Sequence, residues 1–519
     1  MLHQKTRLTR FSSVFWAMLV SFCFIAQISG LTQPLSAAEC DQQVNATLLI
    51  RYPVDSPPIT PESIYKMGAL KPDQRTYLTR GEFDVIYGMD PSDELKVKAF
   101  CKKNHLKVLD ISSARRLVTV TGTKEALQSA LGSMPKEMAP IIRHVFFDTQ
   151  EPPISEGGFP SIPTMATYTP PQVGQIYNYP KDLDGSGVTV GIMGFGGGFD
   201  REILSDYFRY LTIPMPEITS VSIRGYENTY STPPSAMDVE IMMDIEVAAA
   251  VAPGAKFVVY LGRNDARGWY EGLSTAIHDN INNPAILSLS FALPESKTIQ
   301  TEMALINQLF MEAALLGMTV TASSGDLGSS AGVDDGLAHA YFPASSPFVI
   351  ATGGTTLIAQ GSEIKSEVTW DVPKVGAASG GGISAFFPLP AWQKKAGVPP
   401  SVNPGHQTGR GLPDMAGNAN LLTGYVISYN KGELSPYGSG TSAVAPLVAA
   451  LFAMINQKSN VSVGYVNPLL YNLETMTDSN LFYDVTKGDN GAYQASAGWD
   501  ACTGWGSPDG IKLLNALTH

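Results

Sequence analysis

Basic clusters, paired cysteines, a long apolar run in the interior and a histidine zinc motif are all missing from this sequence, and each gap closes off a class of protein. With 35 Lys and Arg against 47 Asp and Glu, the formal net charge is −12. Phosphate backbones are held by clustered cations, so nucleic acid is excluded as a partner. The four cysteines, Cys23, Cys40, Cys101 and Cys502, are too few and too scattered for a disulfide scaffold. A bridge between Cys40 and Cys101 is open in an exported protein, but nothing local demands it. Beyond the N-terminus no segment reaches the roughly 20 apolar residues of a spanning helix, so no stable membrane anchor is expected. HExxH does not occur, nor does a pair of Asp-Thr/Ser-Gly loops.

What is present is globular: 519 residues, 44% hydrophobic and only 16% charged, enough for two or three units. Lys5, Arg7 and Arg10 precede an apolar stretch from Phe11 to about Ile28, and Ser36, Ala37 and Ala38 offer a cleavage site before Glu39. Residues 1–38 therefore read as an export signal, with an uncleaved membrane anchor as the alternative, and the protein as secreted, extracellular or periplasmic. Residues 39–149 read as a small α+β unit. In it Ser92–Leu106 is a helix with a serine cap, a hairpin turns around Ser112–Arg115, and Thr123–Gly132 is a second helix. Residues 150–172, rich in proline, glycine and serine, form a linker where proteolytic cutting concentrates. From 173 to 519 short apolar runs, among them GVTVGIMGF (187–195), KFVVYLG (256–262), AILSLSFA (285–292), TVTASSGD (319–326) and FVIATGG (348–354), alternate with helical patterns. That grammar predicts a parallel sheet covered on both faces, with function at the carboxyl ends of its strands. Charge divides along the same boundary. Residues 1–159 hold 18 Lys and Arg against 16 Asp and Glu, and the rest 17 against 31.

The chemistry starts with GSGTSAVAPLVAALFAMINQ (438–457). Ser442 follows glycines and opens a long apolar helix, where free N–H groups and the helix dipole favour developing negative charge. A capping serine on a buried helix would look the same. Its hydroxyl needs a base. Of the seven histidines, His3, His105 and His144 precede the linker and His519 is terminal. None of His278, His339 and His406 is followed by Gly-Thr, as the catalytic histidine of a subtilisin is. Carboxylates are the better candidates. Glu240 and Asp244 stand four apart on one face of a helix dominated by Ile, Met, Val and Ala. Two acids on one buried face repel and lose solvation, so one should hold a raised pKa and share its proton with the other; a solvated stripe with Asp238 is the alternative. Glu246 points to another face and reads as structural. Asp326 ends an apolar strand in Ser-Gly-Asp, a position open also to an ordinary turn aspartate.

In this order these segments resemble the sedolisin family of serine-carboxyl peptidases. The matching residues are Ser439-Gly440-Thr441-Ser442 with Pro446, Glu240 with Asp244-Ile245-Glu246, and Ser324-Gly325-Asp326. FGGGFD (195–200), GGTT (353–356), SGGGIS (379–384), GRGLPDMAGNA (409–419) and the N-terminal YLTRGEF also match. The resemblance implies a subtilisin-like α/β catalytic domain, a parallel sheet flanked by helices, preceded by a small α+β, ferredoxin-like activation prosegment. It implies an endopeptidase with Ser442 as nucleophile, Glu240 as base, Asp244 orienting Glu240, and a protonated Asp326 in the oxyanion hole. A carboxylic acid donates only below its pKa, so activity belongs to acid. The resemblance also implies one structural Ca²⁺, held by the side chains of Asp484 and Asp500 and the carbonyls of Val485, Ser496 and Gly498. The partners implied are polypeptide substrates and the chain's own prosegment as an intramolecular inhibitor, in a monomer.

The chain departs from relatives at two places. Ser-Leu-Ser-Phe-Ala (288–292) replaces their Ser-x-Ser-Trp-Gly, and Gly194 replaces a glutamate that, with that tryptophan, extends the network behind the acids. Tyr341 is expected to line the cleft. A catalytically silent relative acting as a peptide-binding module, or an esterase using the same nucleophile, would share much of this sequence.

Overall fold

The computed structural model describes residues 42–147, 164–476 and 480–518. The signal segment, Cys23, Cys40 and residues 150–163 of the linker lie outside the described residues. The chain divides into two compact units. One joins the residues up to Ser56 with Asp84–Thr149; the other joins Pro57–Phe83 with everything after the linker begins.

In the smaller unit, strand β1 (Gln43–Ile50) pairs antiparallel with β3 (Leu117–Thr123) and β4 (Ile142–Phe147), and β2 (Lys107–Ser112) pairs with β3. The order β2-β3-β1-β4 with helices α1 (Pro91–Lys103) and α2 (Lys124–Gly132) is the ferredoxin-like arrangement. Leu48, Val97, Phe100, Cys101, Val118, Val120 and Leu127 share its core. The cap of α1 is Asp90, whose carboxylate accepts from the N–H groups of Ser92 and Asp93, not the expected serine. Pro91 explains the difference, because it fits the first helical turn and moves the start upstream.

The larger unit is built on one twisted sheet. Its strands are β5 (Thr189–Phe195), β6 (Glu217–Ser222), β7 (Lys256–Gly262), β8 (Ile286–Leu289), β9 (Thr319–Ser323), β10 (Ile350–Gln360), β11 (Glu363–Thr369) and β12 (Met415–Asn418). Across the sheet they run β11-β10-β9-β8-β5-β7-β6, with β12 on β10; every pair is parallel except β10–β11. The apolar runs became the central strands. Edge strands β6 and β11, half-exposed and polar, escaped the sequence reading because they carry no apolar run.

Helices α3 (Ala236–Val251) and α6 (Thr441–Ser459) pack together over one part of this sheet, while α4 (Ala266–Ile277) and α5 (Gln300–Leu315) form another layer. Every residue of α6 from Thr441 to Asn456 is buried, as expected of a helix apolar all round. The larger unit also begins before residue 173. Met165 N–H donates to the Leu422 carbonyl, Tyr168 bridges Tyr425, and a helix opens at Pro170. No helix among the described residues is long and apolar enough to cross a membrane.

Candidate active site

Three elements deliver the candidate residues to one end of the sheet. Helix α3 starts at a capping box formed by Ser235 and Asp238, and carries Glu240 and Asp244 one turn apart. Asp238 is fully buried and accepts from the N–H groups of Gly198, Ser231 and Ser235 and from the Ser235 hydroxyl. This fixes the helix start, and the glycine-rich loop beside it, against each other. Helix α6 starts at Gly440, whose φ of +91° suits glycine, and puts Ser442 in its first turn. Pro446 lacks the N–H that would bond the Ser442 carbonyl. Asp326 follows the carboxyl end of β9.

Ser290 joins these pieces, and the sequence reading passed it over. Its hydroxyl donates to Asp244 Oδ1 at 2.6 Å and lies 3.2 Å from the Ser442 carbonyl, while Ser442 Oγ donates to the Ser290 carbonyl at 3.2 Å. The signal was the second serine of Ser-x-Ser just past an apolar strand. Asp326 Oδ1 accepts both the N–H and the hydroxyl of Thr441 at 2.8 Å, and the Thr441 hydroxyl accepts from Gly325 N–H. A Cβ on Gly440 would come within 2.5 Å of Asp326 Oδ2, so glycine keeps that oxygen accessible.

Two carboxylate oxygens, Glu240 Oε1 and Asp244 Oδ2, are sealed from solvent without a hydrogen-bond partner. Burial pushes the Glu240 carboxyl up to about 8, against its polar contact with the Ser442 hydroxyl, which favours the charged form; the charge of Asp326 adds to the rise. Burial, then the charge of Glu240, lift Asp244 well above the usual carboxylate range, with the Ser290 bond opposing. Burial also raises Asp326, restrained by its two bonds from Thr441. Each of the three acids is therefore harder to ionise than an exposed carboxyl, and the site resists holding more than one negative charge.

The histidines are occupied elsewhere. His278 pairs with Glu312 at 2.7 Å, His339 with Asp335 at 2.9 Å, and His406 Nδ1 lies 3.1 Å from the Ser401 carbonyl. Glu246 is buried away from the pair and accepts from Ser428 N–H. Tyr341 is buried, its ring against Gly325, where any Cβ would collide with it. The space behind the acids is apolar. Phe291 packs edge-on to Phe195 with centroids 5.2 Å apart, and Phe195 stacks on Trp269 at 5.4 Å. At Gly194 a Cβ would meet the side-chain methyls of Leu261 and Ile241 at about 3 Å, so an acid there would require those side chains to shift.

The C-terminal loops gather the residues expected at the calcium site. Gly498 N–H donates to Asp484 Oδ2 and Ser496 N–H to Asp500 Oδ2, each at 3.0 Å. Burial raises both carboxyl groups. Neither forms an ion pair with a side chain among the described residues, and no group of three or more acidic, histidine or cysteine side chains forms there either. Two carboxylates without a cationic partner, with backbone carbonyls to complete the shell, fit a hard cation.

The sequence pattern of the subtilase family matches residues 230–505. Kumamolisin of Bacillus sp. (strain MN-32) is 39% identical over 517 residues, covering 92% of each chain. Tripeptidyl-peptidase sed5 of Aspergillus fumigatus is 24% identical, covering 94% of this chain and 95% of that one. Among solved structures, Pseudomonas sedolisin, a serine-carboxyl proteinase complexed with two molecules of pseudo-iodotyrostatin, superposes with a TM-score of 0.60. The two are 26% identical, and the match covers 67% of this chain and 97% of that one.

Proposed function

The chain belongs to the sedolisin family of serine-carboxyl peptidases, and on that premise we propose that it is a secreted pro-enzyme that cleaves internal peptide bonds of proteins in acid, with Ser442 as nucleophile. The observation that carries this reading is the sealed acid pair on α3, tied to the nucleophile through Ser290.

Ser442 Oγ attacks the scissile carbonyl carbon while Glu240, in the ionised form that its raised pKa makes a minority in acid, takes its proton. The tetrahedral intermediate collapses as Glu240 returns the proton to the leaving amine, and water repeats the cycle on the acyl-enzyme. Asp244 has one oxygen engaged by Ser290; a proton shared between its other oxygen and Glu240 Oε1 satisfies both orphans and keeps the pair at a single negative charge. Asp326, protonated, donates from Oδ2 to the oxyanion while Oδ1 stays bonded to Thr441. Once pH rises through the elevated pKa of Asp326 that donor is lost, so the rate falls.

Residues 39–149 act as the prosegment and the cut falls in 150–163. Asp484 and Asp500, with the carbonyls of Val485, Ser496 and Gly498, would hold one Ca²⁺, which supplies cross-linking of the C-terminal loops and no chemistry. The test is cleavage of denatured protein at pH 3–4 and pH 7 by the full-length chain and by Ser442→Ala. Acid-dependent cleavage lost in the variant supports the reading. Absence of cleavage at both pH values, even after the linker is cut, refutes it.

A further inference from the structure

The motif around Tyr77 finds no use in the chemistry above, yet it lies in a built seat. Pro57–Phe83 leaves the ferredoxin-like unit and packs within the larger one. Arg75 is buried, and its guanidinium donates to the carbonyls of Val463 and Tyr465, and to those of Gly68 and Leu70 in its own segment. The Tyr77 hydroxyl donates to the Val463 carbonyl at 3.0 Å. Its ring fills hollows at Gly317 and Gly464, where a Cβ would come within 2.7 and 2.5 Å of the tyrosine. Leu78 N–H donates to the Leu315 carbonyl at 3.0 Å. Arg80 donates to the carbonyls of Ile277 and Pro284, each at 2.8 Å, and to the Asn283 side chain. Phe83, fully buried, packs on the His278 ring with centroids 4.9 Å apart.

The place of this seat matters as much as its fit. Ile277 and Pro284 precede β8, Leu315 and Gly317 precede β9, and Val463–Tyr465 follow the end of α6. These are the amino ends of the strands, whereas Ser442 and Asp326 stand at the opposite end. Helix α6 runs between the two, and its 19 residues span about 28 Å. A segment seated here cannot occupy the cleft.

We infer that the larger unit carries, on the edge remote from its chemistry, a recognition groove for an extended Arg-x-Tyr-Leu-x-Arg segment, and that its occupant is Pro57–Phe83 of the same chain. The segment keeps the prosegment attached after the linker is cut. Recognition works by carbonyl oxygens capturing two guanidinium groups, bonds strengthened by the cation's charge, and by glycines that admit one ring. The inference rests on residues 39–149 being the prosegment.

The test uses the full-length Ser442→Ala chain with a site for a specific protease placed within 150–160, so no step depends on catalysis. After cutting, the N-terminal fragment should co-elute with the remainder on gel filtration at micromolar concentration. Arg75→Ala with Tyr77→Ala should weaken that association at least 100-fold. Should that variant fail to fold, the cut parent decides. Excess synthetic peptide Pro57–Phe83 displaces a labelled N-terminal fragment, and the peptide carrying both substitutions does not. Equal retention with and without the two side chains, or equal displacement by both peptides, overturns the inference. A chain that cleaves nothing at any pH but shows this docking refutes the proposed function alone.

Discussion

Replacing Glu240 by glutamine should stabilise the folded chain at neutral pH and leave it nearly unchanged in acid. The carboxyl rises from an ordinary 4.5 to about 8 on folding, chiefly through burial. Below pH 4.5 it is protonated in both folded and unfolded chains, and its contribution to stability is fully present. Between 4.5 and 8 the folded state binds a proton that the unfolded state does not, so stability falls with rising pH at 1.36 kcal/mol per unit. By pH 7 the accumulated loss is about 3 kcal/mol. Glutamine does not titrate and escapes it. Removing the charge that helps to raise Asp244 acts in the same direction. The assay compares guanidinium unfolding midpoints of Ser442→Ala and Ser442→Ala/Glu240→Gln at pH 3.5, 5 and 7, with the slope checked for constancy. Losing the Ser442 hydroxyl frees Glu240 from a bond favouring its charged form, so the window moves upward without reversing. A midpoint difference that does not grow with pH, or a glutamine variant less stable at pH 7, would refute the argument.

Three further outcomes are expected. Asp326→Ala should lower kcat about 100-fold in acid, where the parent's donor is present, as loss of one oxyanion donor does; Asp326→Asn, which keeps a donor that does not titrate, should retain more activity and lose it at a higher pH than the parent. Ser290→Ala strips Asp244 Oδ1 of its donor in a sealed site, a penalty of about 1–3 kcal/mol. Because that bond favours the charged acid, the rise of kcat with pH should begin at higher pH, a shift visible in the kcat profile. Calcium chelation should lower the unfolding temperature of the parent but not that of Asp500→Asn; a parent indifferent to the chelator would remove the calcium proposal.

How much was legible depended on the residue. Glu240, Asp244, Asp326 and Ser442, the proposed catalytic residues, stood out in the sequence because each sits on a local signature: a helix face, a strand end, a glycine-flanked helix start. Ser290 had only a faint signal, the second serine of Ser-x-Ser, since its hydroxyl matters only through α3, which the fold brings beside it. The central strands announced themselves as unbroken apolar runs, while β6, lying at the edge with polar side chains, did not. The separation of Pro57–Phe83 from its sequence neighbours was also invisible. Arg75 and Tyr77 look like surface residues until carbonyls from residues 463 and 465 close around them.

The buried helix α6 holds the proposed nucleophile Ser442 at one end and leads to the proposed docking groove at the other. With side chains packed on all sides, it acts as a gauge of fixed length and fixed twist. Inserting a single residue would advance one end by about 1.5 Å and turn it by about 100° relative to the other. Ser442 would face away from Ser290, or Val463 and Gly464 away from Tyr77. Insertions and deletions in this helix should therefore be far less tolerated than substitutions, even at positions remote from both of its ends.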